Sequence, residues 1–206
     1  MTDVTLLAGG SGLIGREITR QWAGPGTLHR LLRHPGGDPV RQAHHRQDHI
    51  VDFAALPALP PATQAFCCLG TTLKVAGSQA AFRAVDLDAV LAFARAARQA
   101  GATRLAVVSA LGANPQSASF YSRVKGEMEA AVAKLGFDCL VIARPSLLAG
   151  DRHTLGQAAR PAEQLALALT RPLAAFIPAA WRPIDAATVA RALQRALADG
   201  DRKSVV

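Results

Sequence analysis

Tyr121 and Lys125 stand one helical turn apart in Tyr121-Ser122-Arg123-Val124-Lys125, and Tyr121 is the only tyrosine of the chain. A phenol titrates near pH ~10 and is a poor proton donor or base at neutrality until its surroundings tune it. A lysine four residues later lies on the same helix face. Its positive charge favours the phenolate, so the spacing predicts a phenol pKa below the ordinary value. Ser109 closes the apolar run Arg104–Ser109, where its hydroxyl would hold a carbonyl oxygen against Tyr121. Together, Ser109, Tyr121 and Lys125 describe proton transfer to or from a carbonyl/alcohol pair.

A second motif supplies a reason for that chemistry. Val4–Ala8 is a short apolar run that enters Gly9-Gly10-Ser11-Gly12-Leu13-Ile14-Gly15. Gly9, Gly12 and Gly15 keep a Gly-x-x-Gly-x-x-Gly spacing, and Gly10, Gly12 and Gly15 also satisfy Gly-x-Gly-x-x-Gly. Glycines at these places allow a tight turn, a close approach of backbone to phosphate, and packing of the next helix on its strand. The amides around Ser11, Leu13 and Ile14, at the start of that helix, would face a pyrophosphate. The pairing of this turn with the Tyr/Lys pair points to a nicotinamide dinucleotide.

The next segment bears on which dinucleotide. An NAD site places an acid roughly 20 residues past the turn, on the ribose hydroxyls. Here Leu31-Leu32-Arg33-His34-Pro35 puts Arg33 there instead. A guanidinium suits a 2′-phosphate, so NADP(H) is favoured over NAD(H), with a solvated loop arginine as the plainer alternative. Asp52, expected at the end of the third strand, is either an acceptor for the adenine amino group or an exposed strand-end carboxylate.

These residues need a frame. Strand-like runs at 4–8, 28–32, 50–53, 65–69, 104–109 and 139–143 alternate with helical patterns at 13–22, 79–100 and 120–135. In the long helix the apolar spacing falls on Phe82, Val85, Ala89, Phe93 and Ala96-Ala97. Such alternation predicts right-handed crossovers and a Rossmann-like α/β fold with a doubly wound parallel sheet. One domain is expected over 1–206. Within it, 151–198 forms a small substrate-side cap broken by prolines 161, 172, 178 and 183, with a helix at 163–170 and another at 187–198. A frayed tail is expected over 199–206.

Composition excludes several classes. The chain has 206 residues, half of them hydrophobic, enough for one sizeable core. The net charge is +8, from 23 basic and 15 acidic residues. The arginines are dispersed and aromatics scarce, so a nucleic-acid partner is not expected. No apolar run is long enough to span a bilayer and no signal peptide is visible. Cys67, Cys68 and Cys139 have no framework spacing, and Cys67 and Cys68, in an apolar run, read as buried free thiols. A cytoplasmic location is therefore expected, with no membrane partner. His44, His45, Asp48, His49 and Asp52 cluster before the third strand, and they read as a polar surface loop rather than a metal site.

On these motifs the chain resembles the short-chain dehydrogenase/reductase superfamily, in its atypical NAD(P)-binding branch, and within it the Tat-interacting-protein-like oxidoreductases. The resemblance runs from about Val4 to Gly150 and is carried by Phe66-Cys67-Cys68-Leu69-Gly70-Thr71-Thr72, Gly77-Ser78, Phe82-Arg83-Ala84-Val85-Asp86, Val108-Ser109-Ala110-Leu111-Gly112-Ala113, Tyr121-Ser122-Arg123-Val124-Lys125-Gly126-Glu127 and Ala143-Arg144-Pro145-Ser146. Arg182-Pro183-Ile184 adds a weaker match. The resemblance implies that Leu69, Gly70 and Thr71 line the adenosine side. It implies that Ser109, Tyr121 and Lys125 form the catalytic triad, with Tyr121 and Lys125 also touching the cofactor. It places Pro145 beside the nicotinamide carboxamide. Many relatives have Asn, which supports a proton-relay water, where this chain has Asp86.

The expectation is an NADP(H)-dependent oxidoreductase acting on a small carbonyl or alcohol, with Tyr121 as acid/base. The alternative is a non-catalytic NADPH-binding sensor or regulator. A sugar-nucleotide epimerase ranks lower, because the cap is short.

Overall fold

The computed structural model describes residues 4–24, 26–35, 45–146, 148–149, 183–200 and 203–205. Its frame is a parallel sheet. Strands β1 (Val4–Ala8), β2 (Thr27–Leu32), β3 (Arg46–Ile50), β4 (Gln64–Cys67), β5 (Arg104–Val108) and β6 (Cys139–Ala143) are followed by a small pair, β7 (Leu148–Ala149) and β8 (Ile184–Asp185), and by β9 (Lys203–Val205). The large sheet has the order β3-β2-β1-β4-β5-β6-β9. Through β6 this is the doubly wound Rossmann order, whose reversal between β1 and β4 opens a crevice at the carboxyl ends of the strands.

The two-residue period of the strands builds two cores. Leu6, Ala8, Ala65, Cys67, Leu105, Val107 and Leu140 point to one face. Leu7, Phe66, Ala106, Cys139, Val141 and Ala143 point to the other. Apolar residues on both faces of the inner strands are what a sheet covered on both sides requires. The first face is covered by α3 (Gln79–Arg83), α4 (Val90–Gln99) and α5 (Phe120–Val132) through Phe82, Phe93, Val124 and Met128. The second is covered by α1 (Leu13–Gln21) and α6 (Ala186–Asp199) through Ile14, Ile18, Val189 and Leu193. A short helix, α2 (Leu73–Ala76), precedes α3. Thr72 and Ser78 cap α2 and α3 by accepting from the backbone of Val75 and Ala81.

Three expectations change. The third strand is Arg46–Ile50, not 50–53, so the histidine-rich segment read as a loop is partly strand. As an edge strand β3 needs no apolar alternation. Asp48 sits opposite Arg30 in register and takes two hydrogen bonds from its buried guanidinium, at 2.8 and 2.7 Å. His49 meets the His29 ring nitrogen at 2.8 Å. The tail is not all frayed, since Lys203–Val205 pairs with Leu140–Ile142 of β6. The long helix is interrupted by a π-helical turn, Ala84–Ala89, between α3 and α4. Phe82, Phe93 and Ala97 are buried as expected, but between them Asp86, Leu87 and Val90 turn inward, while Val85 and Ala89 are only half-buried. Most of the expected cap, including the helix at 163–170, lies outside the described residues, as do His44 and Arg182.

Candidate active site

The glycine turn is built by close approach. Gly9 has φ +80°, and a Cβ there would overlap the backbone of Cys68. A Cβ at Gly15 would overlap the Gly9 carbonyl and lie 2.8 Å from the Gly10 Cα. These two glycines let β4 and α1 close on the turn. Gly12 differs, since its added Cβ meets only the Gly9 oxygen, at 3.4 Å. Gly12 caps α1 with extended backbone, and its amide donates to the Gly9 carbonyl at 3.0 Å. Its open side faces a groove.

That groove has two connected chambers at the carboxyl edge of the sheet. The first, of about 600 Å³, takes in Gly9, Ser11 and Gly12, then Arg33, Asp52, Leu69 and Gly70. Its far wall is the π-helical turn, through Val85 and Ala89. Arg33 is exposed just past β2. Asp52 lies two residues past β3 rather than ending it, and its carboxylate accepts from the Ala54 amide at 2.9 Å. The second chamber, of about 370 Å³, is lined by Leu13, Ile14, Thr71, Ser109, Tyr121, Lys125 and Pro145. Gly12, Arg33, Cys68, Leu69 and Gly70 border both. The sequence-derived site residues thus converge on one continuous groove, with Gly15 packed behind it.

Each reactive side chain has a definite support. Ser109 follows β5 and is held by its amide, which donates to the Ala143 carbonyl at 2.7 Å. Its Oγ is buried and has no hydrogen-bond partner among the described residues. Helix α5 carries Tyr121 and Lys125. It lies tight against the preceding loop, because a Cβ on Gly126 would overlap the Asn114–Pro115 backbone. Arg144 donates to both carboxylate oxygens of Glu129, which anchors the segment of Pro145 to the same helix. The Tyr121 ring packs on Phe82, with centroids 5.4 Å apart.

The electrostatics depart from expectation. Lys125 Nζ lies 2.7 Å from Asp86 Oδ1, and both side chains are buried. The other Asp86 oxygen accepts from the Thr71 amide at 2.8 Å. Burial pushes the Tyr121 phenol above its ordinary value; Lys125 opposes that shift and Asp86 reinforces it. The expected depression is therefore reversed, because desolvation penalises the phenolate and the lysine's charge is matched by a carboxylate. Cys67 is a buried thiol as expected, lifted by burial to about 12, and Cys139 is buried as well. Cys68 was expected as a strand residue but lies beyond β4, half-buried where the chambers join. Nothing in its residue type announced that place. Among the described residues no group of three or more His, Cys, Asp or Glu is arranged to hold a metal ion.

No family model matches the chain. The rat protein HTATIP2 is 39% identical over 151 residues, a stretch that covers 70% of this chain and 59% of that protein. Mitochondrial fmp52 of Aspergillus niger is 31% identical over 173 residues, covering 79% of this chain and 72% of its own. This chain belongs to the HTATIP2/FMP52 family. The likeness to Tat-interacting-protein-like proteins that the motifs carried is thereby borne out. The match to the rat relative spans less than two thirds of that protein's length. The expected cytoplasmic location is overturned, because relatives from Coccidioides immitis, Emericella nidulans and Aspergillus niger are all named mitochondrial proteins. Among solved structures, MoeE5 in complex with UDP-glucose and NAD superposes with a TM-score of 0.72, at 17% identity, over 99% of this chain and 75% of that one. The Bordetella bronchiseptica enzyme WbmG in complex with NAD gives 0.70 at 16%, over 100% of this chain and 72% of its own. These likenesses establish the Rossmann-like fold.

Proposed function

We propose that this chain is an NADP(H)-dependent oxidoreductase acting on a carbonyl/alcohol pair, with Tyr121 as acid/base. The observation that carries the reading is the Ser109 hydroxyl. It is buried, without a hydrogen-bond partner among the described residues, and lines one chamber with Tyr121 and Lys125. A buried hydroxyl with no protein partner calls for a polar ligand atom.

The residues fit a dinucleotide. Gly9 and Gly15 close the turn, while Gly12 leaves its side open where phosphates would lie. The Leu13 and Ile14 amides begin α1, whose N-terminus favours anions. Arg33 borders the first chamber, where it would meet a 2′-phosphate, and Asp52 and Leu69 would flank the adenosine. Thr71, expected on the adenosine side, lines the second chamber instead, where with Lys125 and Pro145 it would hold the nicotinamide half. The bound cofactor supplies the hydride chemistry. Ser109 orients the carbonyl oxygen by donating its free hydroxyl hydrogen. Tyr121 is neutral at physiological pH, as a phenol ordinarily is, and burial moves its value further up; it gives that oxygen a proton as it becomes an alcohol. Binding, orientation and the proton belong to the protein.

A second reading is favoured by two observations. The Asp86–Lys125 pair and the raised phenol also suit a protein that holds NADPH and regulates a partner without turnover. NADPH consumption with a panel of aldehydes, ketones and quinones separates the two. Turnover that falls in both Ser109→Ala and Tyr121→Phe supports the enzyme. Tight NADPH binding with no turnover on any substrate supports the regulator.

A further inference from the structure

Asp86 belongs to the π-helical turn and is fully buried, 0% exposed. One carboxylate oxygen stands 2.7 Å from Lys125 Nζ on α5, and the other accepts from the Thr71 amide at 2.8 Å. It therefore joins three parts of the site: the loop after β4, the lysine, and the wall of the first chamber. Gly70 lies beside the pair, where an added Cβ would sit at ordinary contact distance, 3.4 Å from Asp86 Oδ1 and 3.7 Å from Lys125 Nζ. We propose that Asp86 is a positioning residue that makes Lys125 half of a neutral ion pair, so that the pair and not the lysine alone governs when Tyr121 releases its proton. This rests on the reading of Tyr121 as acid/base.

The surroundings of Tyr121 support the assignment. Lys125 and Asp86 are the charges that act on the phenol, and they act in opposite directions. Two further titratable groups, Arg33 and Cys68, line the same chamber; Arg33 is left in place in every variant, and burial pushes the Cys68 thiol up. Cys67, from β4, is neutral because burial lifts its thiol to about 12. Glu129, one turn along α5 from Lys125, is paired with Arg144, and Glu127 with Arg83. An isolated lysine at this place would pull the phenol down, as the spacing alone suggested. A lysine matched at 2.7 Å by a carboxylate presents mainly a dipole, whose effect on a third group is far weaker than that of a single charge.

The chain's lone tyrosine makes the test direct. Its phenolate absorbance reports Tyr121 alone, with neither cofactor nor substrate present, so the result is independent of whether turnover exists. Spectra are read immediately after a pH jump, before alkaline unfolding. Asp86→Asn keeps the size and the acceptor for Thr71 while freeing the lysine's charge. It is expected to lower the phenol midpoint by on the order of one pH unit, a tenfold gain in phenolate at a given pH. Asp86→Asn/Lys125→Met removes both charges and is expected to leave the midpoint within about half a unit of wild type, well inside the span of a single nearby charge. A single variant that titrates like wild type overturns the proposal. So does a double variant whose midpoint moves by a full unit, which also decides the matter if the single variant does not fold.

Discussion

Gly9 and Cys68 meet backbone to backbone where β1 and β4 end. The Cys68 amide donates to the Ala8 carbonyl at 2.8 Å, and a Cβ on Gly9 would run into the Cys68 carbonyl carbon and oxygen. With φ at +80° as well, Gly9 tolerates no side chain. Gly9→Ala is expected to destabilise the fold by about 1–3 kcal/mol, the usual cost of a strained backbone position. Gly12→Val, at a place with open space, should stay folded and lose NADPH binding. Urea unfolding and fluorescence titration of the two variants check this. A Gly9→Ala protein as stable as wild type would sink the account of the turn.

Arg33 should separate the two cofactors. Arg33→Ala is expected to weaken NADPH by about 1.5–3 kcal/mol, the scale of a hydrogen bond to a charged group. NADH affinity should hardly change. Equal wild-type affinities for the two dinucleotides would mean that Arg33 is an ordinary exposed arginine.

Tyr121→Phe should reduce turnover by at least about 10²-fold while leaving NADPH affinity nearly unchanged. Lys125→Ala should harm both. Because burial raises the phenol's pKa, Tyr121 stays a proton donor through neutrality. The reduction rate is expected to remain level and to fall only above about pH 10. A decline that begins near neutrality would assign the proton to another group.

Acid should loosen the β2–β3 edge first. The Arg30 guanidinium holds the Asp48 carboxyl below its ordinary value, and burial holds the His29 imidazole below its own. Both are depressed in the folded state. Each contribution is present above the unfolded value, near 6.5 for histidine and 3.9 for aspartate, and is lost as pH falls through the folded value. Hydrogen-exchange protection factors, which allow for the slower intrinsic exchange in acid, should fall in β3 below about pH 6 and further below about pH 4, ahead of β5. Simultaneous loss of protection in both strands would refute the local account.

Much of this was legible in the sequence because the signals were local. The glycine turn and the Tyr121/Lys125 spacing each depend on neighbours a few residues away, and Arg33 on its place roughly 20 residues past that turn; the structure brings them to one groove. Strands such as Cys139–Ala143 read clearly because burial on both faces demands unbroken apolar runs. The histidine-rich strand did not, because an edge strand can be polar and is fixed by the long-range pair of Arg30 and Asp48. The phenol's pKa was misread for a similar reason. The lysine is four residues from Tyr121, but the carboxylate that offsets it comes from 35 positions earlier in the sequence. Periodicity alone gave no sign of the π-helical turn that carries it inward.

Ser109 has a consequence for selectivity. Its hydroxyl is buried, with no hydrogen-bond partner among the described residues, so any molecule that enters the second chamber either satisfies it or leaves it stranded. A hydrocarbon with the outline of a substrate would forfeit about 1–3 kcal/mol against its carbonyl counterpart, the cost of a buried polar atom left unmade. An inhibitor for this groove therefore gains more from one well-aimed acceptor than from added bulk. The same hydroxyl offers a discovery screen a simple filter: ketones and matched methylene analogues should part company at this single atom.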